Sequence, residues 1–151
     1  MGQISNSLSA LGKQRVYLDT NVFIYFLEQH PTYFSVVEQI MHAIATQELD
    51  AYTGEIAVAE TMVIPYRNKD ANTIAQVRAF FSKKNFLSIL PHNARIFDLA
   101  ARLRAAQSMK FVDAVHIATA DRSGCKFFIT NDKAIRSTAA VSVIPLTDCI
   151  P

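Results

Sequence analysis

The stretch VYLDTNVFIYF, Val16 to Phe26, sets a single carboxylate inside an apolar run. Val16 to Leu18 is β-branched and aromatic and predicts a short buried strand, and the apolar residues beyond Asn21 predict a helix from Val22 to Glu28. Asp19, with Thr20 and Asn21, then falls where a buried strand turns into a buried helix. A carboxylate in that position is costly unless it is paired, hydrogen-bonded or bound to a cation. The rest of the chain has to supply those partners.

Reading outward, His30-Pro31 closes the helix, because a residue before proline is disfavoured in the helical region. Ser35 stands where it can cap a helix to Gln47, with Val36, Val37, Ile40, Met41 and Ile44 at helical spacing. Leu49 to Tyr52 predicts a brief strand. Thr53-Gly54 leads into a helix from Glu55 to Pro65 with Ile56, Ala59, Met62 and Val63 toward the core. Asp70 to Lys84 predicts a helix, Phe86 to Leu90 a strand, and Asn93 to Gln107 a helix with an arginine-bearing outer face. KFVDAVHIATADRSG (110–124) is apolar nearly all round and predicts a buried helix. CKFFITND (125–132) reads as a strand ending in a polar turn, and VSVIPL (141–146) as the last strand. Strands alternating with helices imply crossover units and a mostly parallel sheet covered on both faces. Ligands of such sheets bind at the carboxyl ends of the strands. Asp19 and Asp132 both stand at expected strand ends.

The 151 residues fit one domain, able to bury roughly 70% of the surface of the unfolded chain. Half the residues are apolar and 19% are charged, which excludes a disordered chain. A formal net charge of +2 is too small for charge alone to argue nucleic-acid binding. Cys125 and Cys149 have no neighbours at zinc-site spacing and read as reduced core thiols. The opening MGQISNSLSALGKQR lacks the apolar core of a secretory peptide, so residues 1–14 are expected as a flexible leader and 15–151 as the domain. No apolar run reaches the roughly 20 residues of a membrane span. A soluble, cytoplasmic protein is expected.

Four acids, Asp19, Glu60, Asp113 and Asp132, each interrupt or close an apolar element. Each has a plain explanation. Asp19 can cap the following helix, Asp113 can complement a helix dipole, and Asp132 can make an Asn-Asp turn. Glu60 resists such a reading, sitting past the first turn among Val58, Ala59, Met62 and Val63, while its rival Glu55 is turned well off that face. One pocket collecting all four would need a cation to relieve repulsion, and hard oxygen ligands suit Mg²⁺ or Mn²⁺.

The segments VYLDTNVFIYFLE, IAVAETMV, FVDAVHIATADRSGCKFFITND and VSVIPL, in this order, resemble the PIN domain family and in particular its VapC-like ribonuclease toxins of type II toxin–antitoxin systems. The resemblance runs from Val16 to Pro145. It implies a three-layer α/β/α sandwich around a mostly parallel sheet, a Mg²⁺- or Mn²⁺-dependent nuclease site and action on RNA. Carried over residue by residue, it makes Asp19, Glu60, Asp113 and Asp132 the catalytic and metal-binding set, with Asp19 and Asp113 as direct ligands. Asn21, Thr130 and Asn131 become supporting groups. It also implies an antitoxin partner and a homodimer.

Such a site suits phosphodiester hydrolysis without a protein nucleophile. His116, three residues after Asp113, reads either as a contact to substrate or as a buried, hydrogen-bonded histidine. Lys110 and Lys133, with Arg122 and Arg136, flank the downstream acids, and Arg95, Arg102 and Arg104 decorate the preceding helix. They can grip phosphate or simply solvate the surface. Alternative readings are a metal-dependent phosphatase or phosphoryl-transfer protein using Asp19, and a non-catalytic PIN-like RNA-binding module. The apolar FIYFLEQHPTYF and RAFF segments are either partner surface or core.

Overall fold

The computed structural model describes residues 6–149. In chain order the elements are α1 (Asn6–Ser9), β1 (Arg15–Leu18), α2 (Thr20–Leu27), α3 (Phe34–Ala45), β2 (Asp50–Gly54), α4 (Glu55–Arg67), α5 (Ala71–Phe81), β3 (Ser88–Leu90), α6 (Ala94–Ala106), α7 (Phe111–Arg122), β4 (Phe127–Thr130), β5 (Ser142–Pro145) and a final 3₁₀ turn, Leu146–Cys149. All strand pairings are parallel, in the order β3-β2-β1-β4-β5. This is the expected α/β/α sandwich.

Strand alternation divides the core in two. Val16, Leu18 and Ile129 point to one face, where they meet Val22, Phe23, Val37, Ile40 and Ile44 of α2 and α3. Tyr17 and Phe128 point to the other and pack against Ile96 and Ala100 of α6 and Ala114 to Ala120 of α7. Period-2 side chains on strands buried on both faces produce this division. The central pair β1–β4, in register Leu18↔Ile129, brings Asp19 beside the end of β4.

Several boundaries move from their sequence-based positions. Ser35 does not cap α3; Tyr33 occupies the N-cap with no side-chain bond, because His30 already turns the chain by accepting from the Thr32 and Tyr33 N–H groups. Asp70 and Asn93 do cap α5 and α6, each accepting an amide three residues on. Helix α4 passes through Pro65 to Arg67, since proline removes one donor but leaves the Pro65 carbonyl to accept from Asp70. Its buried face is Ala57, Thr61, Met62 and Pro65; Ala59 and Val63, expected inward, lie outside. The flexible leader expected over 1–14 does not describe residues 6–11. They include helix α1, and Leu8 and Leu11, three apart, dock in the core with Leu146 and Cys149. Residues 1–5 lie outside the described ones. The aromatic FIYFLEQHPTYF and RAFF segments are core and core margin, whereas exposed apolar side chains sit elsewhere, at Val63, Ile64 and Tyr66 of α4 and at Phe97, Phe111 and Val112. Among the described residues no helix is long and apolar enough to cross a membrane.

Gly54 joins β2 to α4 at a point of close approach. A Cβ there would lie 2.6 Å from His92 Cε1 and 2.7 Å from the Tyr17 hydroxyl. Neither neighbour yields easily: Tyr17 is fully buried, and His92 is held at both nitrogens, by the Ile56 N–H at 3.0 Å and the Thr119 hydroxyl at 2.9 Å. Gly54→Ala should therefore cost about 1–3 kcal/mol through overpacking and lower Tm by roughly 2–4 °C per kcal/mol. Thermal melts check this; an unchanged Tm would show that the junction relaxes freely.

Candidate active site

Asp19 follows β1 and caps α2. It is only 5% exposed. Its Oδ1 accepts from the Thr20 N–H at 2.7 Å, and its Oδ2 accepts from the Thr130 hydroxyl at 2.6 Å and the Asn21 amide at 3.3 Å. Burial raises its pKa, against the opposing His116 charge and the Thr130 and Thr20 hydrogen bonds. The Thr130 hydroxyl also accepts from the Asp132 N–H at 2.9 Å, and the Asn131 N–H donates to Asn21 Oδ1 at 3.2 Å. Asn21, Thr130 and Asn131 thus form one network that fixes the carboxylate.

Glu60 reaches the same place from the second turn of α4. Its Oε1 accepts from the Thr20 hydroxyl and from His116 Nε2, both at 2.7 Å. His116, from the buried run of α7, is 1% exposed, and its Nδ1 lies 2.7 Å from the Tyr17 hydroxyl. A carboxylate accepts only, so His116 Nε2 carries a proton toward Glu60, and Nδ1 shares a hydrogen bond with the Tyr17 hydroxyl. Burial of Tyr17 raises its pKa and keeps that hydroxyl protonated. Burial also pushes Glu60 upward, but the bonds from His116 and Thr20 and the His116 charge outweigh it, and the net shift is downward. His116 therefore lies beneath the site, on Glu60, rather than at its surface. Its Nε2 is 3.8 Å from Asp19 Oδ1.

Asp113 occupies the first turn of α7, and its Oδ2 is buried without a hydrogen-bond partner. Burial, then the charges of Asp132 and Asp19, push its pKa up to about 6. Asp132, partly buried, accepts from the Ala134 N–H at 2.9 Å. Lys110, at the N-cap of α7, is exposed and opposes the rise at Asp113; Lys133 is exposed beside Asp132. The structure thus ties Asp19 to Glu60 through Thr20 and His116, and couples Asp113 to Asp132 and Asp19 by charge. Thr20 and Tyr17 had no place in the sequence-derived site.

Among the described residues no three His, Cys, Asp or Glu side chains are already grouped closely enough to hold a metal. The donor set nonetheless fits a hard, water-rich cation, which takes one or two carboxylates directly and keeps several waters. The partnerless Asp113 Oδ2, under repulsion from two neighbouring acids, is where such an ion would relieve most cost.

The PIN domain family profile matches residues 16–141. No curated protein matches the chain. Among solved structures, the fold is similar to a toxin–antitoxin complex from Klebsiella pneumoniae, at 20% identity and TM-score 0.64 over 83% of this chain and 94% of that one. It is also similar to VapBC2 from Rickettsia felis bound to a DNA fragment from their promoter, at 15% and 0.67 over 87% and 98%. A third is VapC20 of Mycobacterium tuberculosis, a sarcin–ricin loop cleaving toxin, at 14% and 0.61 over 75% and 86%.

A raised carboxylate pKa stabilises the fold below the unfolded value, and that contribution is lost as pH rises through the folded value. For Asp113 the window runs from 3.8 to about 6, and the ionised group is destabilising above it. Asp113→Asn should therefore stabilise the metal-free protein at pH 7.5 by about 1 kcal/mol after allowing for solvent screening, with no gain below about pH 4. Denaturant melts across pH measure this, and a pH-independent difference would contradict the electrostatic origin.

Proposed function

Because the chain belongs to the PIN domain family, we propose that it is a Mg²⁺- or Mn²⁺-dependent endoribonuclease, a VapC-like toxin neutralised by an antitoxin and working in the cytoplasm. The observation that carries this reading is the buried, partnerless Asp113 Oδ2 under the charges of Asp132 and Asp19. Asp19 and Asp113 would hold the ion, with Asp132 beside them. A bound divalent cation supplies charge neutralisation at the scissile phosphate and a water of lowered pKa.

The chain's own groups do the rest. Thr20, Asn21 and Thr130 fix both oxygens of Asp19, so its orientation costs nothing at the moment of binding. Glu60 is held ionised, with its bonds on Oε1, which leaves Oε2 to take a proton from an attacking water. Lys110 and Lys133 stand at the rim, where they would meet phosphate oxygens.

The similar structures include toxin–antitoxin assemblies and a sarcin–ricin loop cleaving toxin, and this supports an antitoxin partner and an RNA substrate here. Exposed apolar side chains on α4 and around the starts of α6 and α7 give surface for that partner and for a second copy of the chain in a homodimer. Sedimentation over a range of concentrations checks the homodimer; a monomer throughout would remove it.

Asp19→Asn should reduce cleavage of a single-stranded RNA in Mn²⁺ by more than about 100-fold while leaving Tm equal or higher, since asparagine still caps a helix. RNA cleavage and thermal melts measure both. Wild-type hydrolysis of small phosphomonoesters in place of RNA would favour a phosphatase. RNA binding without cleavage in either metal would favour a non-catalytic module.

A further inference from the structure

Beside the acids, at the ends of β4 and β5, lies a recess of about 440 Å³ lined by Tyr33, Asn131, Asp132, Lys133, Val143 and Pro145 among others. Its walls are of three kinds. Val143 and Pro145, two apart on β5, are apolar; Asn131, Asp132 and Lys133 are polar and charged; Tyr33 is aromatic.

Tyr33 is held in place by neighbouring rings. Tyr25 stacks on it with ring centroids 5.0 Å apart and planes 21° apart, and His30 lies 4.7 Å from Tyr25 and 5.0 Å from Tyr33. His30 Nδ1 accepts from the Thr32 and Tyr33 N–H groups at 3.1 and 3.3 Å, which fixes the turn that presents the ring. The Tyr25 hydroxyl in turn accepts from the Asn131 amide at 2.9 Å. Asn131 donates its backbone N–H to Asn21, whose own amide bonds Asp19. Tyr25 thus joins the ring contacts of Tyr33 and His30 to the hydrogen bonds that run through Asn131 and Asn21 to Asp19, and Tyr33, Asn131 and Asp132 all line the recess.

We propose that this recess is a nucleobase subsite, in which Tyr33 stacks an unpaired base of the RNA adjoining the phosphate held at the acids. This rests on the ribonuclease reading and narrows it to single-stranded or looped-out RNA, because a base already paired and stacked in a duplex cannot lie on a protein ring. The chemistry is matched: an aromatic face for any base, apolar walls, donors and acceptors at Asn131 and Asp132 for base edges, and Lys133 for a flanking phosphate. The volume suits a small planar ligand.

The test uses the wild-type protein with ¹³C-labelled tyrosines, titrated with adenosine 5′-monophosphate, uridine 5′-monophosphate and ribose 5-phosphate. Tyr33 ring resonances should move with either nucleotide and stay in place with ribose 5-phosphate. Tyr33→Leu should raise KM for a single-stranded RNA by roughly five- to twentyfold, with the larger part of the loss in KM, and Tyr33→Phe should restore it, since stacking needs the ring and not the hydroxyl. Thermal melts of both variants separate lost stacking from lost folding. If ribose 5-phosphate shifts Tyr33 as much as the nucleotides do, or none of the three shifts it, the subsite is overturned even if RNA is cleaved. A base-dependent shift without RNA cleavage would keep the subsite and sink the ribonuclease reading.

Discussion

The carboxylate of Asp19 sits at the end of the central strand with almost no access to water, and the carboxyl edge of the sheet is organised around making that burial tolerable. Its donors come from Thr20 and Asn21 at the start of α2 and from Thr130 at the end of β4. Thr130 is in reach because β1 and β4 pair in parallel with Leu18 opposite Ile129, so both strands end on the same level. An antiparallel neighbour would have presented the start of a strand there. The choice of sheet topology and the orientation of the first acid are thus one constraint. An unsatisfied carboxylate at that depth would cost several kcal/mol or take up a proton.

A second buried chain runs from the Tyr17 hydroxyl through His116 to Glu60 and Thr20, and so crosses β1, α7, α4 and α2. It explains why an apolar helix carries one histidine and why α4 carries a glutamate beyond its first turn. It also separates two acids electrically. Hydrogen bonds and charge from His116 hold Glu60 low, while burial and neighbouring acids hold Asp113 high. Carboxylates pushed apart in this way suit different roles, and under the proposed function Glu60 would be the ionised acceptor and Asp113 a cation ligand.

Much of this was legible in the chain. The apolar strands with acids at their ends gave the parallel sheet and the edge that bears the site, because burial on both faces leaves strands no polar positions except at their termini. Asp70 and Asn93 were within a residue of helix starts that they cap. The misreadings have local causes. α4 carries apolar residues on more than one face, so periodicity alone could not select Ala57 and Thr61 over Ala59 and Val63 as the inner row. Leu8 and Leu11 looked like part of a leader because their partners, Leu146 and Cys149, lie at the far end of the chain. For the same reason the Tyr17–His116 and Asn131–Tyr25 bonds were invisible: each joins residues about a hundred positions apart.

Under the proposed function, the partnerless oxygen of Asp113 marks a cation site shared with Asp19. Anomalous diffraction from crystals grown with Mn²⁺ tests it most directly. A manganese peak about 2 Å from Asp113 Oδ2, with Asp19 as a second ligand or bridged through water, is the predicted result. Crystals that remain without a peak at those carboxylates at millimolar Mn²⁺, or that place the ion elsewhere, would contradict it.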